Sequence, residues 1–130
     1  MGAKHIGENT GSNPVRIMEV ELKQPGHPVN RSPQLDPVAI DPQHNVLIFE
    51  NDQVRVFRSW REAGGREMMH EHIGAGRVGI FLTDAKGKIE AGGEVSMLNA
   101  SAGDVSWSGP VTHRTTNLGP RFDMIIVEVK

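Results

Sequence analysis

Residues 64 to 72 read Gly-Gly-Arg-Glu-Met-Met-His-Glu-His, and their conformation decides what the chain can be. The stretch sits where an ordinary β-strand is expected. In a strand successive side chains alternate faces, so His70 and His72 point one way and Glu71 the other. Two imidazoles on one face are half of a metal site. The other half has to come from elsewhere in the chain.

Outward from this stretch the sequence is a series of short β-branched or aromatic runs: VLIFE from Val46, VRVFRSW from Val54, RVGIFL from Arg77, GEVSML from Gly93, DVSW from Asp104 and FDMIIVEV from Phe122. Turn-forming residues separate them at Asn51-Asp52, Gly64-Gly65, Asp84 to Gly87, Gly92-Gly93, Gly103-Asp104, Gly109-Pro110 and Gly119-Pro120. Many short strands at such spacing predict an all-β antiparallel sandwich or barrel over residues 46 to 130. Toward the N-terminus, residues 1 to 13 are small, polar and aperiodic, the composition of a flexible leader. Residues 14 to 45 are expected to hold an N-terminal strand and a Pro-rich connector. Val15, Ile17, Val20 and Leu22, with Met18 between, predict the strand over 15 to 22. Prolines 25, 28, 33, 37 and 42 predict an extended connector over 23 to 43 with no place in a helix.

Composition narrows the function. The 130 residues contain no cysteine, so disulfides, zinc–thiolate sites and thiol nucleophiles are excluded, and any metal must be held by nitrogen and oxygen. Fourteen Lys and Arg against sixteen Asp and Glu give a net charge of −2 without a basic run, which argues against nucleic acid as a partner. No apolar run approaches the roughly 20 residues that cross a bilayer, and the N-terminal residues lack the apolar stretch of a signal peptide. The expectation is a cytoplasmic protein with no membrane partner. A nucleophile elbow and a P-loop are absent, and Gly74-Ala-Gly-Arg-Val-Gly79 meets a dinucleotide-binding spacing without the strand-to-helix turn that gives it meaning.

The third histidine stands in Gly103-Asp-Val-Ser-Trp-Ser-Gly-Pro-Val-Thr-His113-Arg-Thr-Thr-Asn117, at the start of a strand after a Gly-Pro turn. Together the two stretches resemble the cupin superfamily. Its first motif, G-x5-H-x-H-x(3,4)-E-x6-G, is matched by Gly64, His70 and His72. Its second, G-x5-P-x-G-x2-H-x3-N, is matched by Gly103, His113 and Asn117 with one residue fewer between glycine and histidine. The chain departs from the family at the glutamate ligand, which should fall at position 76 or 77, where Gly76 and Arg77 stand. Glu71 cannot replace it, because alternation turns it away. The turn of the second motif is reordered to Ser108-Gly109-Pro110.

The resemblance implies an antiparallel jelly-roll barrel with His70, His72 and His113 as metal ligands inside it. Three neutral imidazoles leave a divalent ion its full charge and open coordination positions. In three-histidine cupins that ion is ferrous iron, which implies a dioxygenase acting on a small anionic or enolisable compound; zinc, nickel, manganese or copper would also accept the ligand set. The resemblance also implies a homodimer. The alternative function is a non-catalytic cupin, a small-molecule sensor or structural module. A metal-free sugar epimerase ranks last, because no inward carboxylate near His70 or His113 is evident.

The remaining candidates carry plainer readings. Arg77 is read first as a solvated loop side chain and second as a cation that receives an anionic substrate. Met68, Met69, Phe81, Met97, Trp107 and Trp60 are expected in the barrel core, and Asn117 as a structural member of its strand. His5, His27 and His44 are expected to be exposed.

Overall fold

A computed structural model describes residues 3 to 130; residues 1 and 2, the start of the expected leader, lie outside the described residues. Nine strands follow one short helix: α1 (Pro37–Ile40), β1 (Asn45–Glu50), β2 (Val54–Arg61), β3 (His70–His72), β4 (Gly76–Phe81), β5 (Ala85–Ala91), β6 (Glu94–Ala100), β7 (Val105–Ser108), β8 (Val111–Asn117) and β9 (Phe122–Val129). They form two antiparallel sheets, ordered β1-β2-β9-β4-β7 and β3-β8-β5-β6. None of the described helices is long and apolar enough to cross a membrane.

Period-two alternation decides which side chains meet between the sheets. On β9, at the centre of the larger sheet, Phe122, Met124 and Ile126 line the interior, and Glu128 continues their face. On β2, Arg55, Phe57, Ser59 and Arg61 are all buried and stand in register beside Glu128, Ile126, Met124 and Phe122. The smaller sheet contributes His113, Thr115 and Asn117 from β8, all buried. Apolar packing concentrates at one end, where Phe81, Ala85 and Phe122 meet Leu98, Ala100 and Met124.

Several sequence expectations are corrected. Residues 15 to 22 form no strand, since their backbone finds no ladder partner within this chain. The connector does contain a helical turn, because Pro37 occupies its first position, where the missing N–H has no intrahelical partner to lose. The expected turn from Asp84 to Gly87 is absent, since Ala85 to Gly87 already belong to β5. Gly87 is there for close approach, since a Cβ would lie 2.8 Å from the Thr116 carbonyl oxygen of β8.

Of the residues expected in the core, only Phe81 is buried there; Trp60 is half-buried beside Arg58 and Arg121, and Met68, Met69, Met97 and Trp107 are exposed. Met68 and Met69 precede a strand of only three residues, and β6 and β7 are sheet edges. On β7 Val105, Ser106 and Ser108 line the cavity, and Trp107 does not. His5 and His27 are exposed as expected, whereas His44 is half-buried, with Nδ1 2.9 Å from Asp41 and its ring edge-on to Trp60.

Asn117 ties the end of β8 to two loops. Its Nδ2 donates to the carbonyls of Arg61, Glu62 and Pro120 at 2.9–3.1 Å, and its Oδ1 accepts from Gly119 N at 2.9 Å. The residue is fully buried, so no water replaces a lost bond. Asn117→Ala should therefore cost about 2–4 kcal/mol of stability, read as a lowered urea midpoint at unchanged slope. A loss below about 1 kcal/mol would show that the loops close without it.

Candidate metal centre

The three histidines of the two motifs converge, with ligand atoms within 4.8 Å of one another and all three side chains buried. Strand pairing brings them together: His70 on β3 lies directly opposite His113 on β8, and His72 lies two residues further along the same face. The ring centroids of His70 and His113 are 4.7 Å apart, and those of His72 and His113 are 5.2 Å apart.

Hydrogen-bond partners assign the tautomers. His70 Nδ1–H donates to the Met68 carbonyl at 2.9 Å, and His72 Nδ1–H donates to Glu128 Oε1 at 2.8 Å. Each ring therefore turns an unprotonated Nε2 toward the other, and these two nitrogens are 3.1 Å apart. Two lone pairs so placed repel unless a cation lies between them. Nitrogens each about 2.0–2.1 Å from a shared ion stand at such a separation. His113 Nε2 is buried beside them without a hydrogen-bond partner. A proton is a poor substitute for a metal here. Burial, reinforced by Arg77 and His70, pushes His72 down to about 2, and burial with the charges of His70, His72 and Arg77 pushes His113 to about 2.

Behind His72 lies a buried charge cluster that the motifs do not mark. Glu128, with no exposed surface, meets Arg31 of the connector at 2.7 Å and Arg55 at 3.7 Å. Arg55 in turn bonds Asp36 through Nη2 and Oδ2 at 3.0 Å. Burial pushes the Glu128 carboxyl above the usual range, against the pull of Arg31 and Arg55. Burial also opposes ionisation of Asp36, but the hydrogen bond and charge of Arg55 outweigh it and hold Asp36 below its ordinary value. One signal for Glu128 exists in the sequence: it continues the inward series Phe122, Met124, Ile126. Nothing local marks Arg31 or Asp36.

Arg77 lies on β4, not in a loop, and lines the cavity with the histidines. Its register partner on β9 is Glu128, so Arg55, Glu128 and Arg77 form a row across three strands. Burial lowers the Arg77 guanidinium from its ordinary value, against the charges of Glu128 and Glu67. The two positions at which the family's glutamate would fall are thereby distinguished. Position 76 admits no side chain, since Gly76 has φ 146° and a Cβ there would lie 2.7 Å from both the Ser108 carbonyl and the Trp107 ring. The inward position is Arg77.

Inward carboxylates do exist near the histidines, contrary to the sequence reading. Besides Glu128, Glu67 lines the cavity, with Oε1 2.9 Å from Arg61, Oε2 accepting from Thr115 N at 2.8 Å, and Oε2 3.9 Å from His70 Nδ1. That last distance is too long for a hydrogen bond, and the His70 proton already goes to Met68. The pair is no acid–base dyad. A metal-free epimerase therefore stays last, for a different reason.

No protein-family model matches the chain, and no curated protein is significantly similar to it. Solved structures are similar in fold. A cupin domain from Bordetella pertussis Tohama I superposes with a TM-score of 0.61 at 19% identity, covering 66% of this chain and 91% of that one. An uncharacterized conserved protein with a double-stranded β-helix domain from Klebsiella pneumoniae gives 0.52 at 18% identity, over 65% and 76%. A cupin superfamily protein from Desulfitobacterium hafniense gives 0.51 at 15% identity, over 65% and 74%. The chain has the cupin jelly-roll fold, in a variant that gathers three histidines and faces them with an arginine in place of a carboxylate.

The depressed imidazoles make a pH prediction for the metal-free protein. Below the ordinary value of 6.5 the unfolded chain protonates His72 and His113 while the folded chain, at about 2, does not. Stability is therefore full above about pH 6.5 and declines as pH falls toward 2. The thermal midpoint should drop between pH 7 and 4, and drop less in a His72→Asn, His113→Asn double variant. An equal drop in both proteins would assign the acid sensitivity to other groups.

Proposed function

We propose that the protein is a metal-dependent enzyme in which His70, His72 and His113 hold one divalent transition ion, ferrous iron in preference to zinc, nickel, manganese or copper. The reaction class is dioxygenation of a small anionic or enolisable compound. The supporting observation is the pair of lone-pair nitrogens 3.1 Å apart, each oriented by a proton donated elsewhere. A metal held there would supply Lewis acidity and, as iron, dioxygen chemistry, with coordination positions left open by a three-nitrogen ligand set.

The chain's own residues divide the remaining work. Glu128 fixes the ring of His72 and raises its basicity as a ligand, the usual task of a carboxylate behind a metal-bound imidazole. Met68 does the same for His70 through its carbonyl. Arg77, which has no carboxylate within salt-bridge distance among the described residues, is free to receive the negative charge of a substrate.

Elemental analysis of untagged protein tests this reading, with about one ion per chain expected and little left in His70→Ala. Glu128→Gln should lower metal affinity about 10- to 100-fold. Arg77→Glu should retain or tighten the metal while weakening anionic ligands. Metal content indifferent to His70→Ala would make the cluster a relic and favour a sensor or structural module.

We infer that the active form is a homodimer. The edge strand β1 exposes Val46, Leu47, Ile48 and Phe49, and residues 15 to 22 carry exposed apolar side chains without ladder partners. An apolar sheet edge and an unpaired alternating segment complete each other when two copies meet. Light scattering should give twice the chain mass, and deletion of residues 1 to 30 should lower both the mass and the stability. A monomer indifferent to that deletion would contradict the inference.

A further inference from the structure

The cavity between the sheets, about 320 Å³, changes character along the strands. At the level of Glu128 on β9 it is charged, with Arg77 and Arg55 on either side and His72 facing from the other sheet. Four residues back, at Met124, it is apolar, with Phe81 alongside in register, Phe122 beyond, and Leu98 opposite. Four strand residues separate the two levels by about 13 Å. Between Arg77 and Phe81 the inward position of β4 is Gly79, and the Met124 methyl and Ser106 hydroxyl close over it, each 3.1 Å from where a Cβ would stand.

Charge in this cavity is unbalanced in a particular place. Arg31 and Arg55 are matched by Glu128 and Asp36. Among the described residues Arg77 has no carboxylate within salt-bridge distance, and its Nη1 donates to the Gly109 carbonyl at 3.3 Å. Two further acids line the cavity: Glu67, paired at 2.9 Å with Arg61, the register partner of Phe122, and Asp104, whose carbonyl accepts from Phe81 N at 3.0 Å. An anion is therefore drawn to one end and repelled from the other. Val105 and Ser106 line the cavity and are exposed, so it opens to solvent along β7.

We propose that the ligand is an amphipathic monocarboxylate with an unbranched apolar body, its carboxylate beside Arg77 and the histidines and its tail among Phe81, Leu98, Phe122 and Met124. This shares the site of the proposed enzyme but does not need the ion, because Arg77 and the apolar end act without it. The structural basis is geometric: a cation with no carboxylate within salt-bridge distance among the described residues and an apolar cluster line the same cavity.

Calorimetric titration of the metal-free full-length protein with acetate, butyrate, hexanoate and octanoate tests the ligand class. Affinity should rise about three- to fourfold per methylene until the tail fills the apolar end, and hexylamine should bind far more weakly than hexanoate. Arg77→Gln should weaken every carboxylate by about tenfold or more and leave the chain-length dependence intact. Leu98→Ser should flatten that dependence, weakening octanoate far more than acetate. Affinity independent of chain length in the unmutated protein would overturn the proposal without any variant, and so would equal binding of hexylamine. Metal uptake, measured separately, keeps the two readings apart: chain-length dependence without metal uptake retains the ligand class and removes the metalloenzyme, and metal uptake without chain-length dependence does the reverse.

Discussion

The hydrogen bond from His72 to Glu128 crosses the barrel. It joins β3 of the smaller sheet to β9 of the larger one through two side chains with almost no solvent contact. A carboxylate in that position is tolerated only with compensating charge, because removing it from water without partners costs several kcal/mol or more. Arg55 from the neighbouring strand and Arg31 from the connector supply the compensation, and Asp36 balances the excess. The connector is thus part of the site, although it lies outside the barrel in sequence.

Such an interior is more polar than cohesion alone requires. Among the described residues six hydrophobic side chains are buried, against eleven polar or charged ones, an inversion of the usual preference that points to a binding site at the centre. Cohesion comes instead from backbone ladders, from the Phe81, Ala85, Phe122 cluster, and from fully bonded polar anchors such as Asn117. A polar group aimed inward has to be bonded or committed to a ligand. Asn117 is the first case, and the Nε2 atoms of the histidines are the second.

The row Arg55, Glu128, Arg77 carries this logic across the larger sheet. One guanidinium is locked into the cluster that orients His72, and the other is left without a carboxylate and faces the cavity. The same sheet therefore fixes the ring of His72 and presents a guanidinium to the cavity. An arginine at position 77 puts positive charge beside the three histidines, where a glutamate would have put negative charge.

What the sequence determined is what period-two alternation and turn chemistry encode locally. His70 and His72 share a face because they are two residues apart, Asn117 was legible as a structural anchor through its place in the second motif, β1, β2, β4, β6, β7 and β9 are marked by β-branched or aromatic runs, and β3 and β8 by their histidine motifs, which leaves β5. There Gly87 reads as a turn in isolation and is a close-approach residue only once Thr116 of β8 lies against it. Pro37 reads as a helix breaker and starts a helix because of where the chain places it. The segment 15 to 22 has the alternation of a strand, but alternation does not provide a partner. Tertiary structure alone decided that His113 faces His70, that Arg77 turns inward, and that Arg31 and Asp36 stand behind Glu128. Each of these depends on register between strands or segments far apart in the chain, and a one-residue slip in strand register would turn His113 or Arg77 to the opposite face.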